Sequence, residues 1–206
     1  LLHGFTSLLV VCVTSGSGDF QSVLEFDLTG LAGVDPADLV SATVSLYAID
    51  STQFGFPTAS PSAATPIDVT LFDAPTGFDQ TTATWNNSPY ARTAGSNLPT
   101  TTAYDTTVID GIDQWFDFDA TAALLAALQT SADATAFALA SPAAVSNPTS
   151  GNEVSLFAYA AESSTIPPAA GLQPKLTVTL VPEPAALGLM LGLGSLALRR
   201  RSVQNR

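Results

Sequence analysis

The chain has 206 residues, 12% of them charged, and a formal net charge of −12 with only six lysines and arginines. That length allows one ordinary domain with a real core plus a tail. A surface this negative repels phosphate backbones, which argues against nucleic acid as a partner. The charged share is about half of the usual one, a composition typical of exported proteins.

Short segments rich in Val, Leu, Thr and aromatic residues predict β-strands along the whole body. They are 8–13, 21–28, 40–49, 67–72, 136–141, 153–160 and 174–180. In segment 40–49 the even positions 42–48 are apolar and alternate with Thr43, Ser45 and Tyr47, so we predict one buried and one solvent-facing side. Gly, Pro, Asp and Ser clusters separate the segments. The pattern predicts an all-β protein, an antiparallel β-sandwich.

One segment departs from this alternation and predicts a short helix between strands. Leu124, Leu125 and Leu128 lie at helical spacing in an Ala-rich stretch, and Asp119 or Thr121 is available as its N-cap. We expect this helix to pack over one end of the sandwich.

Residues suited to catalysis are scarce. Cys12 is the single cysteine, so no disulfide can form within the chain, and a thiolate metal site is excluded. His3 is the single histidine, and no Ser-His-Asp or Cys-His set can be assembled around it. No Gly-rich phosphate-binding motif follows a predicted strand. The sequence therefore predicts a protein that is not an enzyme and needs no cofactor, with calcium as the one candidate.

Four carboxylates lie close together in the sequence, at Asp110, Asp113, Asp117 and Asp119. They can be solvated residues on the outer side of a strand, which is the simplest interpretation. Asp110, Asp113 and Asp117 are alternatively candidate calcium ligands, because this hard cation prefers carboxylate and carbonyl oxygens. A third alternative is a carboxylate pair that hydrolyses glycosides, which requires two acids facing one cleft.

Three aromatic residues, Trp85, Tyr90 and Trp115, are candidate contacts for a sugar ring. The competing interpretation is that they fill the core or a corner of the sandwich, which is the commoner role of tryptophan.

Motifs along the body together resemble those of a known domain. They are carried by Leu24, Phe26, Asp27, Leu28, Ser41, Ala42, Leu46 and Tyr47, then by Asp79, Thr82, Thr84, Trp85 and Asn86, then by Phe118, Asp119 and Thr121, and finally by Glu162 and the closing strand 173–180. In this order they resemble the DNRLRE domain, a module of secreted bacterial proteins, over residues 4–180. Phe78 replaces the first Trp of that pattern. The resemblance implies a jelly-roll-like sandwich, and related modules include carbohydrate-binding ones.

The start of the chain resembles a segment that normally follows a first strand of that domain. It begins with Leu1, lacks a basic region and has an apolar run of six residues at 8–13, which does not fit a signal peptide. We expect that an export signal and an initial strand precede the given sequence, and we assign residues 1–181 to the sandwich.

The last residues, 182–206, have a three-part order of their own. A short motif precedes an uncharged apolar run at 185–198, and a basic cluster follows it; the motif and cluster residues are Pro182, Glu183, Pro184, Arg199, Arg200 and Arg201. This order resembles the PEP-CTERM sorting signal of exported bacterial proteins. The resemblance implies an exosortase as a partner that processes the tail.

The apolar run predicts a transmembrane helix. Its fourteen residues span about 21 Å as a helix, short of a hydrocarbon core of about 30 Å, and snorkelling arginines or local thinning can close the difference. Arginines on its C-terminal side favour leaving that end in the cytoplasm, so the body lies outside. A buried core helix is the alternative, but the run has no polar face.

Together these observations predict an exported cell-surface or extracellular-matrix protein with a structural or adhesive role. A carbohydrate-binding module for exopolysaccharide is the alternative, and a glycan-active enzyme is the third class.

Overall fold

A computed structural model describes residues 8–13, 22–50, 59–77, 98–141, 154–159 and 171–181. Within these ranges lie nine strands and one α-helix. In chain order they are β1 Leu8–Val13, β2 Ser22–Asp27, β3 Leu39–Ile49, β4 Ile67–Ala74, β5 Ala103–Ile109, β6 Gln114–Asp119, α1 Thr121–Gln129, β7 Ala134–Ala140, β8 Val154–Tyr159 and β9 Lys175–Leu180. Two 3₁₀ turns, Thr29–Leu31 and Pro36–Asp38, precede β3.

The strands form two antiparallel sheets. In sheet A the order is β1-β8-β3-β6, and β9 also pairs with β3. In sheet B the order is β2-β7-β4-β5. The predicted all-β class with two packed sheets and one short helix is confirmed, and each of the seven predicted strand segments contains a strand.

The long strand β3 organises sheet A. One edge of β3 pairs with β6, where Tyr47 lies opposite Trp115. The other edge pairs with β9, from Leu39 opposite Leu180 to Ser45 opposite Lys175. Strand β8 joins the same edge as β9 only at the C-terminal end of β3. Residues 43–45 of β3 therefore have a paired strand on both sides.

The core lies between the two sheets. The even positions 42–48 of β3, which include Val44 and Leu46, are buried there as the alternation predicts, whereas Val40 near the start of the strand is exposed. Phe118 of β6 and Phe137 of β7 are its largest fully inaccessible side chains. The side of β3 that carries Thr43, Ser45 and Tyr47 is only half-buried.

The two central strands of sheet B, β4 and β7, are in contrast buried on both sides along most of their length, whereas its edge strands β2 and β5 carry exposed residues. In β7, Ala136–Ala140 are all buried, and Ala138 packs with Phe72 and Ala74 in a second apolar cluster on the side away from the main core. Because both sides of β7 carry apolar residues, polar and apolar residues do not alternate along this strand with a period of two. On the outer side of sheet A, the outward residues of β3 are half-buried, and Lys175, Thr177 and Thr179 of β9 are exposed.

Helix α1 packs at one end of the sandwich, as the sequence predicts. Leu124 is fully buried in the main core, Leu128 is half-buried and Leu125 is exposed. The N-cap position is held by Ala120, so neither predicted residue occupies it. The Asp119 carboxylate, one residue earlier, accepts from the N–H of Thr121, the first residue of the helix, at 2.8 Å. The hydroxyl of Thr121 instead accepts a hydrogen bond from the backbone N–H of Ala42, 3.0 Å away, which fastens the helix to β3.

Strand β5 is not among the predicted strands, and its polar side chains have a role at the corner between the sheets. The Thr107 hydroxyl donates to the backbone carbonyl of Asp117 at 2.8 Å. The Asp105 carboxylate accepts from the backbone N–H of Asp119, also at 2.8 Å. Side chains of β5 therefore satisfy backbone groups along the edge of β6 that faces away from β3.

The tail that the sequence predicts to be transmembrane, residues 182–206, lies outside the described residues. Within the part of the chain that the structure describes, no helix is long and apolar enough to cross a membrane.

Candidate functional site

Three side chains from three neighbouring strands meet on the outer side of sheet A. The rings of Tyr47 and Trp115 pack edge to face, with centroids 5.3 Å apart and planes at 69°. The ammonium group of Lys175 lies 3.9 Å from the centroid of the Trp115 ring. We call these three residues the aromatic–lysine cluster.

Strand register explains why they meet. Tyr47 and Trp115 are direct cross-strand partners, and both point away from the core. Lys175 pairs with Ser45, two residues before Tyr47, so its long side chain crosses β3 diagonally to reach the Trp115 ring. Diagonal neighbours in an antiparallel sheet lie within reach of long side chains.

The charge at this cluster is unusual for the protein. Lys175 is the one lysine or arginine in the described ranges. An ammonium over an indole face is attracted by the ring quadrupole, by about 0.5–1 kcal/mol where it is exposed. The single cation of the described body is therefore held against its outer aromatic pair.

Polar groups extend the cluster along the sheet. The Ser45 hydroxyl donates a 2.5 Å hydrogen bond to the Asp117 carboxylate, the short distance that a charged acceptor produces. In the next row Thr43 lies between Thr177 of β9 and Asp119 of β6. The outer side of sheet A thus presents an aromatic surface next to hydroxyl and carboxylate groups, a combination that suits a polar ligand with an apolar face, such as a sugar.

The Asp119 carboxylate of β6 is held by hydrogen bonds that do not suit a catalytic acid. Asp119 accepts from the backbone N–H of Thr121 at 2.8 Å, and hydrogen bonds from Thr121 lower the pKa of Asp119. A general acid for glycoside hydrolysis needs the opposite shift, a raised pKa. The geometry around Asp119 therefore favours a structural role for this carboxylate.

The candidate calcium ligands are distributed over a loop and a strand. Asp110 and Asp113 lie in the connection between β5 and β6, where Asp113 has a left-handed backbone with φ 57° and donates its N–H to the carbonyl of Ala48 at 2.8 Å. Asp117 lies on β6, bonded to Ser45. Among the described residues, no three His, Cys, Asp or Glu side chains are grouped to hold a metal ion. Calcium binding stays a prediction.

Of the three predicted glycan contacts, the structure describes Trp115 alone. Trp85 and Tyr90 lie outside the described residues, as do the sorting motif and the basic residues of the tail. Tyr47 and Lys175 were not predicted as site residues. Tyr47 could have been found from the sequence, because the alternation of β3 places it on the outer side of the strand. Nothing in the sequence indicates that Lys175 contacts Trp115.

A second polar contact lies on sheet B. The Tyr104 hydroxyl donates to the Asp73 carboxylate at 3.1 Å, and the Tyr104 ring packs edge to face against buried Phe137. Burial, followed by the nearby Asp73 charge, raises the pKa of Tyr104 to about 12. The neutral phenol is therefore favoured in the folded protein.

This contact predicts a pH dependence. Because the folded pKa is raised, the contribution of Tyr104 to stability is complete below its ordinary pKa of about 10 and is lost as the pH rises through about 12. We expect Asp73→Asn to lower the pKa of Tyr104 only part of the way toward its ordinary value, because burial of the phenol persists in this variant. Ultraviolet difference titration checks this, with Tyr104→Phe identifying the relevant phenol. Identical titration curves for Asp73→Asn and the unmodified protein would contradict it.

Comparison with known proteins adds no relative to these observations: no protein-family model matches the chain, and no curated protein matches it.

Proposed function

We propose that this protein is an exported, non-catalytic module of the cell surface or extracellular matrix, held at the membrane by its C-terminal tail. The order of the tail carries this proposal: Pro182-Glu183-Pro184, an uncharged apolar run at 185–198, and then Arg199, Arg200 and Arg201. This order fits a PEP-CTERM signal with a transmembrane helix and a cytoplasmic basic stop. The exosortase that reads such signals is the proposed partner.

We propose further that the sandwich is a jelly roll of the DNRLRE type. A jelly roll has eight strands in two sheets built from two Greek keys. The strand orders β1-β8-β3-β6 and β2-β7-β4-β5 support this, because strands 1 and 8, 2 and 7, 3 and 6, and 4 and 5 pair with each other. Strand β9 is then an addition to sheet A.

The second candidate function is carbohydrate binding, and the aromatic–lysine cluster is the observation that favours it. Tyr47 and Trp115 supply an aromatic surface on the open side of sheet A, and Lys175, Ser45 and Asp117 supply charged and hydroxyl groups next to it. Aromatic side chains offer a large apolar contact area together with a polar group, which suits contact with a sugar ring. A polymer that meets several such contacts in register gains affinity from each repeat unit.

Affinity electrophoresis against a panel of polysaccharides, with and without calcium, tests both functions. If the cluster binds glycan, one polymer retards the protein, and Trp115→Ala weakens this binding about tenfold, the equivalent of about 1.4 kcal/mol. Leu125→Ala, an exposed change on α1, is the matched control and is expected to bind normally. Retardation that persists in Trp115→Ala would place the binding elsewhere. If the protein is folded and no polymer retards it, carbohydrate binding is contradicted and the structural role is the function that stays proposed.

A further inference from the structure

The tail and the aromatic–lysine cluster are attached to opposite ends of the same pair of strands. Strands β3 and β9 are antiparallel, with Leu180 opposite Leu39 and Lys175 opposite Ser45. The Val181 N–H bonds to the carbonyl of Asp38 at 2.8 Å, so the chain is still fixed to the sandwich at the last residue before the tail. Since strands rise about 3.3 Å per residue, Tyr47 lies about 26 Å along β3 from Leu39.

Exposed apolar side chains lie at the end where the tail leaves. Four large hydrophobic side chains of the described residues are exposed: Val40 at 55%, Val108 at 53%, Val181 at 48% and Leu125 at 36%. Val40 and Val181 flank the Leu39–Leu180 pair. Leu125 lies on α1, which contacts the 3₁₀ turn Pro36–Asp38 next to that pair. Val40 and Val181 therefore lie at the tail end, and Leu125 belongs to an element that contacts it.

The connection to the apolar run is short in sequence. Only Pro182, Glu183 and Pro184 separate Val181 from Ala185. A fully extended chain covers at most about 3.6 Å per residue, so Val181 lies within about 14 Å of the start of the apolar run. Two prolines with fixed φ restrict this connection further. A connection of this length keeps the tail end of the sandwich near the bilayer surface when the apolar run is inserted.

We propose that the sandwich stands end-on on the membrane, with Val40 and Val181 facing the lipid and the aromatic–lysine cluster at the membrane-distal end. The proposal rests on the tail being inserted in the membrane, as proposed above. A long polymer then reaches Tyr47, Trp115 and Lys175 while the protein is still anchored. The partner of the tail end is the bilayer surface. The exposed valines face this surface, and the Asp35 and Asp38 carboxylates keep the sandwich from entering the bilayer.

Fluorine NMR of the full chain tests this orientation. The protein is labelled with 5-fluorotryptophan and inserted into phosphatidylcholine nanodiscs, an uncharged surface that does not repel the acidic sandwich. The Trp115→Phe variant identifies the Trp115 resonance, and Val181→Trp adds a reporter at the tail end. A lipid carrying a gadolinium chelate on its headgroup then broadens resonances close to the bilayer. A water-soluble gadolinium chelate serves as the control for exposure.

We expect the headgroup-bound chelate to broaden the Val181→Trp resonance strongly and the Trp115 resonance weakly, and the soluble chelate to broaden Trp115. Equal broadening of both resonances by the lipid chelate would overturn the end-on orientation while leaving the tail inserted. If the full chain does not enter nanodiscs at all, the proposed anchoring function fails, and the orientation fails with it. The Val181→Ser variant keeps the connection length and adds no tryptophan. It therefore shows whether replacing Val181 by itself changes the broadening of the Trp115 resonance.

Discussion

Phe118→Ala is expected to lower the free energy of unfolding by about 3–5 kcal/mol, the usual cost of truncating a buried phenylalanine. Phe118 is completely inaccessible and belongs to the core between the sheets. It lies opposite Val44 on β3, another fully buried residue, so its removal leaves a cavity beside the strand that organises sheet A. That cavity adds to the lost transfer energy of the ring because close-packed cores relax only in part.

Urea unfolding of the full chain in mild detergent, followed by far-ultraviolet circular dichroism, measures this loss. Leu125→Ala is the control: its side chain is exposed, so we expect a change within about 0.5 kcal/mol. If Phe118→Ala lowered stability by no more than this control, Phe118 would not lie in the core and the facing of β6 would be wrong.

Removal of residues 182–206 is expected to abolish membrane association while the sandwich stays folded. Six leucines lie in the apolar run 185–198, and each favours insertion by about 0.3–0.6 kcal/mol. They contribute about 1.8–3.6 kcal/mol, which corresponds to roughly 20- to 400-fold in partitioning. The sandwich does not depend on this segment for its described contacts, because β9 and Val181 already complete the pairing with β3.

Flotation with phosphatidylcholine vesicles measures the loss. The full chain is expected to float and the shortened chain to stay at the bottom of the gradient. Replacing Arg199, Arg200 and Arg201 with glutamine is the matched control, because it keeps the apolar run and is expected to float as well. Flotation of the shortened chain with the same efficiency would assign membrane binding to the sandwich and contradict the role proposed for the tail.

Most strands could be predicted because each carries its own pattern. The even positions of β3 alternate with Thr43, Ser45 and Tyr47, and a period of two is a local property of the chain. Strand β5 was not predicted, because Thr and Asp dominate Ala103–Ile109 and only Ile109 is buried. The N-cap was assigned to Asp119 or Thr121 from residue type, whereas Ala120 holds that position. Asp119 still accepts from the first N–H of the helix, and the Thr121 hydroxyl bonds to β3.

The candidate site was predictable only in part, because it depends on contacts between distant segments. Trp115 could be named as a candidate from its residue type. Its neighbours Tyr47 and Lys175 are separated from it by dozens of residues, and strand register brings them together. Register is a property of the whole sheet, since a slip of one residue would send every side chain to the other side.

The hydrogen bonds at the corner between β5 and β6 have a consequence for molecules that are crowded together on a surface. A bare strand edge is a template onto which another chain can add, and such addition leads to aggregation. Here the Thr107 hydroxyl donates to the Asp117 carbonyl, and the Asp105 carboxylate accepts from the Asp119 N–H. These two backbone groups, on the edge of β6 that faces away from β3, therefore already have hydrogen-bond partners. Neighbouring copies can be packed densely while this edge offers them little to pair with.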